Sequence, residues 1–279
     1  MILFFKQLHF WFLPPHTLIV GRTRKHLYAA SIEVSLPEYF VKVKNQEYNK
    51  RNSILRQQGM SVQVRKELSK GETIMPMYKK YFFDLYGTLV DIRTDEQKPS
   101  LWCDLAEFYS LCGASYTLDE IRDRYFALCA EETASLAAAC PMLGTEEVEI
   151  ELRNVFRRLF EEKGVAVSET QITDTAMLFR SLSFCSAPKL MEGAEKTLKE
   201  LRQCGARLYL LSNAQSCFTI PELRRLNLLN GVFDGIFLSS DFGVKKPAPA
   251  FSHAALEKAG LRSSEVLMVG NDPFADIHD

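Results

Sequence analysis

The chain lacks any uninterrupted apolar stretch long enough to cross a membrane. Its most hydrophobic opening, MILFFKQLHFWFLPPHTLIV, is interrupted by Lys6, Gln7 and His9 and by Pro14-Pro15, which break a helix. It therefore falls short of the ~18–20 apolar residues that a spanning helix requires. A secretory signal would carry its charge ahead of the apolar part and a small-residue cleavage site behind it, and neither is clear. The seven cysteines are odd in number, form no C-x-x-C pair, and none stands at metal spacing from a histidine. They read as buried or half-buried thiols of a reducing, cytoplasmic compartment. The net charge of −1 gives no overall electrostatic case for nucleic acid or a membrane surface.

Aspartate is missing from residues 1–74, where seven Lys and five Arg face five Glu, whereas the rest of the chain holds 22 basic and 30 acidic residues. Such asymmetry marks either a basic arm that touches a partner or a segment of different origin from the acidic body. No sustained helical or strand period runs through residues 22–74. Residues 1–76 are therefore expected to be a basic, poorly ordered N-terminal extension. Met75 and Met77 stand just ahead of the first convincing strand, which suits sequence translated upstream of another start.

What is present is a body organised around YFFDLYGTLVD at residues 81–91. Three aromatics in a row suit a buried strand, and Gly87 marks a sharp turn shortly after it. Asp84 stands at the carboxyl end of that strand, where open α/β sheets place their ligands. From residue 98 to 185 the pattern is helical without a strand. Thr117, Thr145 and Ser168 each precede an acidic first turn and read as N-caps. Val148, Leu152, Val155, Phe156, Leu159 and Phe160 fall on one stripe.

From residue 186, strands and helices alternate, which implies a parallel sheet. The expected division is an α/β core of residues 77–92 and 186–279, with an all-helical insertion at 93–185. Pro221 is expected near the start of the helix CFTIPELRRLNLL. Every predicted strand ends in a chemically capable group. The first gives Asp84 with Thr88 beyond the turn, and the second Ser212 and Asn213. The third is followed by Lys245 and Lys246, and the fourth by Asn271, Asp272 and Asp276. Singly, these read as a helix cap, a solvated turn and a helix start. In a parallel sheet they share one edge and converge on one crevice.

DLYGT at 84–88, Ser212 within LLSN, Lys246 within KKPAP and GNDPFAD at 270–276 resemble, in order, the four motifs of the haloacid dehalogenase superfamily of hydrolases. The helical insertion resembles the cap of one large branch. The resemblance implies a Rossmann-like core whose C-terminal helix and strand would lie beyond Asp279, so that the core is truncated as written. It implies Asp84 as a nucleophile forming a covalent aspartyl intermediate. Tyr86, Thr88, Ser212 and Lys246 would join it as catalytic residues, while Gly87, Asn213 and Lys246 contact substrate. Mg²⁺ would be held by Asp84, the Tyr86 carbonyl, Asp272 and Asp276.

Tyr86 departs from the pattern, because phosphatases of the superfamily carry an acidic proton donor there. A phenol is a poor acid at neutral pH, which implies a preference for aryl or acyl phosphates. Tyr at this position is instead the pattern of the metal-independent 2-haloacid dehalogenases. Their carboxylate-binding arginine would have to be found among Arg93, Arg122 and Arg124. The expected function is a Mg²⁺-dependent phosphatase acting on a small phosphorylated metabolite, without nucleic acid or membrane partners. A 2-haloacid dehalogenase or a truncated, inactive binding homologue are the alternatives.

Overall fold

The computed structural model describes residues 78–277 and, as backbone, the strand segments 3–4, 17–23, 26–34 and 41–42. The strands are β1 (Leu3–Phe4), β2 (Thr17–Thr23), β3 (His26–Val34), β4 (Val41–Lys42), β5 (Lys80–Phe83) and β6 (Val90–Thr94). They continue with β7 (Phe184–Leu190), β8 (Arg207–Ser212), β9 (Gly235–Leu238) and β10 (Leu267–Gly270). Strands β1, β10, β5, β8 and β9 lie side by side in that order, every neighbouring pair parallel. The parallel α/β core expected from the alternating pattern is thus present.

Burial on both faces explains why β5 and β8 are apolar at almost every position. Tyr81 and Phe83 point to one face, packed with Leu208, Leu210, Leu267 and Leu198. Phe82 points to the other, against Tyr209, Leu211, Phe237 and Phe251. The first face is covered by α5 (Ala194–Gln203) and α6 (Ser216–Arg225), and the second by α7 (Pro249–Ala259). A short α8 (Pro273–Ile277) follows β10.

Four helices stand between β6 and β7: α1 (Pro99–Leu111), α2 (Leu118–Ala139), α3 (Leu152–Glu161) and α4 (Glu169–Ser183). They bury Trp102, Tyr109, Tyr125, Phe156, Phe160 and Phe179 in a cluster of their own. Cys217 and Phe218 of α6 pack into that same cluster. Tyr109 Oη donates to the Phe156 carbonyl at 3.0 Å and Trp102 Nε1 to that of Glu96 at 2.8 Å, so each polar handle is satisfied. Thr117 and Ser168 cap α2 and α4, each in a capping box.

Several expectations are corrected. Thr145 caps nothing, because α3 starts seven residues later at Leu152, with Glu151 as its cap. The segment ahead of it is drawn into backbone pairing with the loop after β9. Val148 bridges Val244, the Glu149 N–H donates to the Gly243 carbonyl at 3.0 Å, and the Lys245 N–H to that of Glu147 at 2.8 Å. Pro221 sits well inside α6. The antiparallel ribbon of β6 with β7, which carries the chain into and out of the helices, has two register shifts and no clean alternation to announce it.

Backbone strands also occur where none was expected, before residue 77. β2 and β3 form an antiparallel pair. Their β-branched and aromatic residues suit strands, but interspersed basic residues obscure the pattern. The rest of the N-terminal extension, Met75 and Met77 included, lies outside the described residues.

The cysteines divide by environment. Cys103, Cys140 and Cys185 are exposed rather than buried as expected, and all seven are free thiols. Burial pushes the Cys129 and Cys217 thiols up to about 12, which leaves almost no thiolate at neutral pH. Brief iodoacetamide treatment of the native chain at pH 8, followed by peptide mass spectrometry, should label Cys103, Cys140 and Cys185 and spare Cys129 and Cys217. Early labelling of Cys217 would contradict this packing of α6 against the helical cluster.

Candidate active site

The position of Asp84 follows from strand pairing. Its amide still donates to the Val269 carbonyl of β10 at 2.9 Å, one residue beyond the end of β5. The chain then turns at Gly87, whose φ of +84° suits glycine. A Cβ there would also lie 2.7 Å from the Asn271 side chain. The turn brings Thr88 Oγ1 within 3.3 Å of Asp84 Oδ2 and 3.0 Å of Asn271 Oδ1.

The Asp84 carboxylate is buried, and its two oxygens differ. Oδ1 accepts from Ser212 Oγ at 3.1 Å and from Lys246 Nζ at 2.9 Å. Oδ2 has the single longer contact with Thr88. Lys246 Nζ also donates to the Leu211 carbonyl at 3.0 Å and to Asp276 Oδ1 at 2.7 Å. An ammonium has three donors, and here each has an acceptor. Burial alone pulls the Lys246 pKa down, but attraction to Asp84 and then Asp276 outweighs it, and the net direction is up.

Lys246 is itself held through Asn213. The Asn213 side chain donates to the Lys246 carbonyl and accepts from the Lys246 N–H, both at 2.8 Å. Asn213, expected as a substrate contact, thus fastens the main chain of Lys246. Asp276 reaches the ammonium from the first turn of α8, and Gly270 makes room for it: a Cβ there would lie 2.0 Å from Asp276 Oδ2.

The expected magnesium ligands are not assembled. Asp272 is exposed, and its Oδ1 accepts from the N–H groups of Phe274 at 2.9 Å and Ala275 at 3.1 Å, as the cap of α8. Asp276 is paired with Lys246, whose ammonium bridges it to Asp84. Among the described residues no three His, Cys, Asp or Glu side chains form a group that could hold a metal. This donor arrangement does not fit the cation, because the one acid is a helix cap and the other faces an ammonium.

Sequence reasoning missed the surroundings of Tyr86. Its hydroxyl donates to Glu222 Oε2 at 2.5 Å and lies 3.0 Å from Thr219 Oγ1. Glu222 Oε1 in turn accepts from Arg180 Nε at 2.7 Å. The Arg180 guanidinium sits over the rings of Tyr86 at 5.6 Å and Phe218 at 5.2 Å. Burial and the adjacent Glu222 carboxylate push the Tyr86 phenol well above its ordinary value. Arg180 comes from α4 and Glu222 from α6, and no local spacing announces the pair. The other candidate arginines are elsewhere: Arg122 pairs with Asp119 and Asp123, Arg124 with Glu131 and Glu162, and Arg93 is exposed.

The sequence model of the haloacid dehalogenase-like hydrolases matches residues 78–277. The chain is similar to a phosphoglycolate phosphatase of Pectobacterium atrosepticum, 28% identical over 176 residues, or 60% of this chain and 75% of that protein. It is also similar to a ribulose-1,5-bisphosphate 5-phosphatase of Halopiger xanaduensis, 34% identical over 88 residues, or 32% of this chain and 36% of that protein. A solved 2-haloacid dehalogenase of Pseudomonas syringae pv. Tomato overlaps 72% of this chain and 81% of its own at 19% identity, with a TM-score of 0.45. That superposition is too loose to compare sites.

Two substitutions test the buried charges. Lys246→Met leaves two carboxylates buried without their cation and should cost about 3–5 kcal/mol in urea unfolding. The Lys246 pKa is raised in the folded chain, so this stabilisation is complete below the ordinary lysine value of 10.5. It is lost as pH rises through the higher folded value, and the gap between wild type and variant should then narrow. Gly270→Ala should destabilise by about 1–3 kcal/mol through overpacking against Asp276. A wild-type midpoint in either variant would contradict this arrangement.

Proposed function

This chain belongs to the haloacid dehalogenase-like hydrolases, and on that premise we propose that it hydrolyses phosphoric monoesters of small metabolites, with Asp84 as the covalent nucleophile. One observation carries the reading. Asp84 Oδ1 is held by Ser212 and Lys246, while Oδ2 keeps only a long contact with Thr88. A carboxylate anchored through one oxygen presents the other for attack in a fixed direction. Lys246, Thr88 and Ser212 line the same side chain and stand where they can stabilise charge on a transferring phosphoryl group. The phosphatase names of the relatives support phosphorus over carbon as the centre attacked.

The helices between β6 and β7 serve in this reading as a cap over the crevice, dividing residues 93–185 from the core at 77–92 and 186–279. A cap of this kind excludes water and chooses the leaving group. The cytoplasm is the proposed location. Magnesium, implied by the resemblance, would rest on Asp84 alone among the expected carboxylates as they are arranged. No step is assigned to it.

One observation favours a second reading. Tyr86 stands two residues after Asp84, and a halide leaving group needs no proton. In that case Asp84 attacks carbon and expels halide, and water then hydrolyses the ester.

Phosphate release from p-nitrophenyl phosphate tests the first reading, and halide release from 2-chloropropionate the second. The expected result is phosphate release that falls about 10³-fold or more in Asp84→Asn, with no halide released. Halide release lost in Asp84→Asn would establish the second reading in its place. A folded wild-type chain inactive in both assays would sink the hydrolytic assignment of this site.

A further inference from the structure

We propose that Glu222 and Arg180 are specificity-determining positioning residues, which hold the Tyr86 hydroxyl proton away from the leaving group. The site then accepts phosphates whose leaving group departs unprotonated, such as aryl and acyl phosphates. This rests on the phosphatase reading and adds to it the two residues that set the preference for aryl and acyl phosphates.

Four side chains carry protons that could reach a leaving group: Ser212, Thr88, Lys246 and Tyr86. Ser212 Oγ donates to Asp84 Oδ1 at 3.1 Å. Thr88 Oγ1 has Asn271 Oδ1 at 3.0 Å and Asp84 Oδ2 at 3.3 Å as acceptors. Lys246 gives its three donors to Asp84, Asp276 and the Leu211 carbonyl. Tyr86 carries the remaining proton, and it points at Glu222 Oε2. Each proton-bearing side chain in this set is bonded to a protein acceptor.

Glu222 is itself held from its other oxygen, because Arg180 Nε donates to Glu222 Oε1. The two side chains are 7% and 13% exposed and sit 2.7 Å apart. A hydroxyl bonded to a buried, ion-paired carboxylate is held by a charge-assisted bond, roughly twice as strong as a neutral one. The guanidinium over the Tyr86 ring fixes the phenol from its face.

The chemistry balances without a donor. As Asp84 Oδ2 bonds to phosphorus, the bond from phosphorus to the leaving oxygen breaks, and its electron pair leaves on that oxygen as RO⁻. Water then attacks phosphorus, the bond to Asp84 breaks to restore the carboxylate, and the protons of water leave with dihydrogen phosphate. A substrate dianion and one water thus give two monoanions. Only leaving groups that are weak bases suit the first step.

The test compares kcat/KM for p-nitrophenyl and phenyl phosphate in the full chain, nitrophenol being the stronger acid. Wild type should prefer the nitrophenyl ester by about 10²-fold or more, the range that a missing general acid exposes. In Glu222→Gln the charged acceptor is gone, and the preference should narrow about tenfold. Tyr86→Asp, which places a carboxyl group there, should narrow it further. A merely structural role for Glu222 would slow both esters alike and leave the ratio unchanged, which would overturn the proposal. So would a wild type indifferent to the leaving group.

A second measurement does not depend on turnover or on how Glu222→Gln folds. The wild-type proton spectrum should contain a slowly exchanging hydroxyl resonance that is absent from Tyr86→Phe, and its absence from wild type would overturn the hold on the proton. No turnover of either ester by wild type would overturn the phosphatase reading and this proposal together. An unchanged ratio in Glu222→Gln overturns this proposal alone.

Discussion

The Lys246 ammonium, shared between Asp84 and Asp276, sets the terms for the rest of the site. Burying one charge is expensive, and burying three is tolerable only when geometry and hydrogen bonding are close to complete. Here the geometry is supplied from four strand ends. β5 brings Asp84, β8 the Leu211 carbonyl and Ser212, the loop after β9 the lysine, and β10 with its following helix Asp276. A parallel sheet in this strand order puts all four at one edge, so topology precedes chemistry. Gly270 and Asn213 follow from the same constraint. One leaves room for Asp276, and the other fastens the main chain of Lys246 so that its side chain arrives at one place.

A second buried ion pair, Arg180 with Glu222, joins the inserted helices to the core. Arg180 and Glu222 meet between α4 and α6, with Phe179 and Phe218 stacked 6.1 Å apart beside them. A second contact lies further along, where Gln215 Nε2 donates to Glu149 at 2.9 Å and Ser239 Oγ donates to the same carboxylate at 2.9 Å. A helical layer tied to the core by polar contacts at two places keeps its orientation without relying on apolar packing alone. The ion pair also bears on chemistry, because Tyr86 is bonded into it and Tyr86 is two residues from Asp84.

How much of this was legible follows the range of each signal. Strand ends were legible, because an apolar run closing on Asp84 or Ser212 is a local pattern and a parallel sheet aligns such ends by rule. The parting of the two acids expected to hold magnesium was illegible for an equally local reason. Asp272 and Asp276 stand four residues apart and look like equivalent acids on one turn. Only in three dimensions does the first turn back to cap α8 while the second is buried against Lys246. Thr145 looked like a helix cap until its neighbours paired with the loop after β9. The Arg180–Glu222 pair joins residues 42 apart on separate helices, and no spacing rule reaches that far.

The charge balance of the site limits how it can hold a phosphate. Asp84 and Asp276 contribute two negative charges against one from Lys246, while Arg180 and Glu222 cancel. In the proposed reaction a dianionic ester would meet two buried carboxylates with one buried ammonium between them, and at short range in a poorly solvated site that repulsion is substantial. Lys246 cannot turn fully toward the ester without abandoning Asp84 or Asp276. A second cation would have to draw Asp272 from the two N–H groups it caps. What remains to offset the repulsion is the oriented dipoles of strand ends and hydroxyls, which are fixed by the fold and need no reorganisation as charge moves. Such a site does better with charge that leaves than with charge that stays. In the proposed reaction, departure of an oxyanion would remove one negative charge from the crevice, and a phosphoryl group on Asp84 would no longer face a free carboxylate. The arrangement therefore favours the forward step for any leaving group stable enough to carry its own charge.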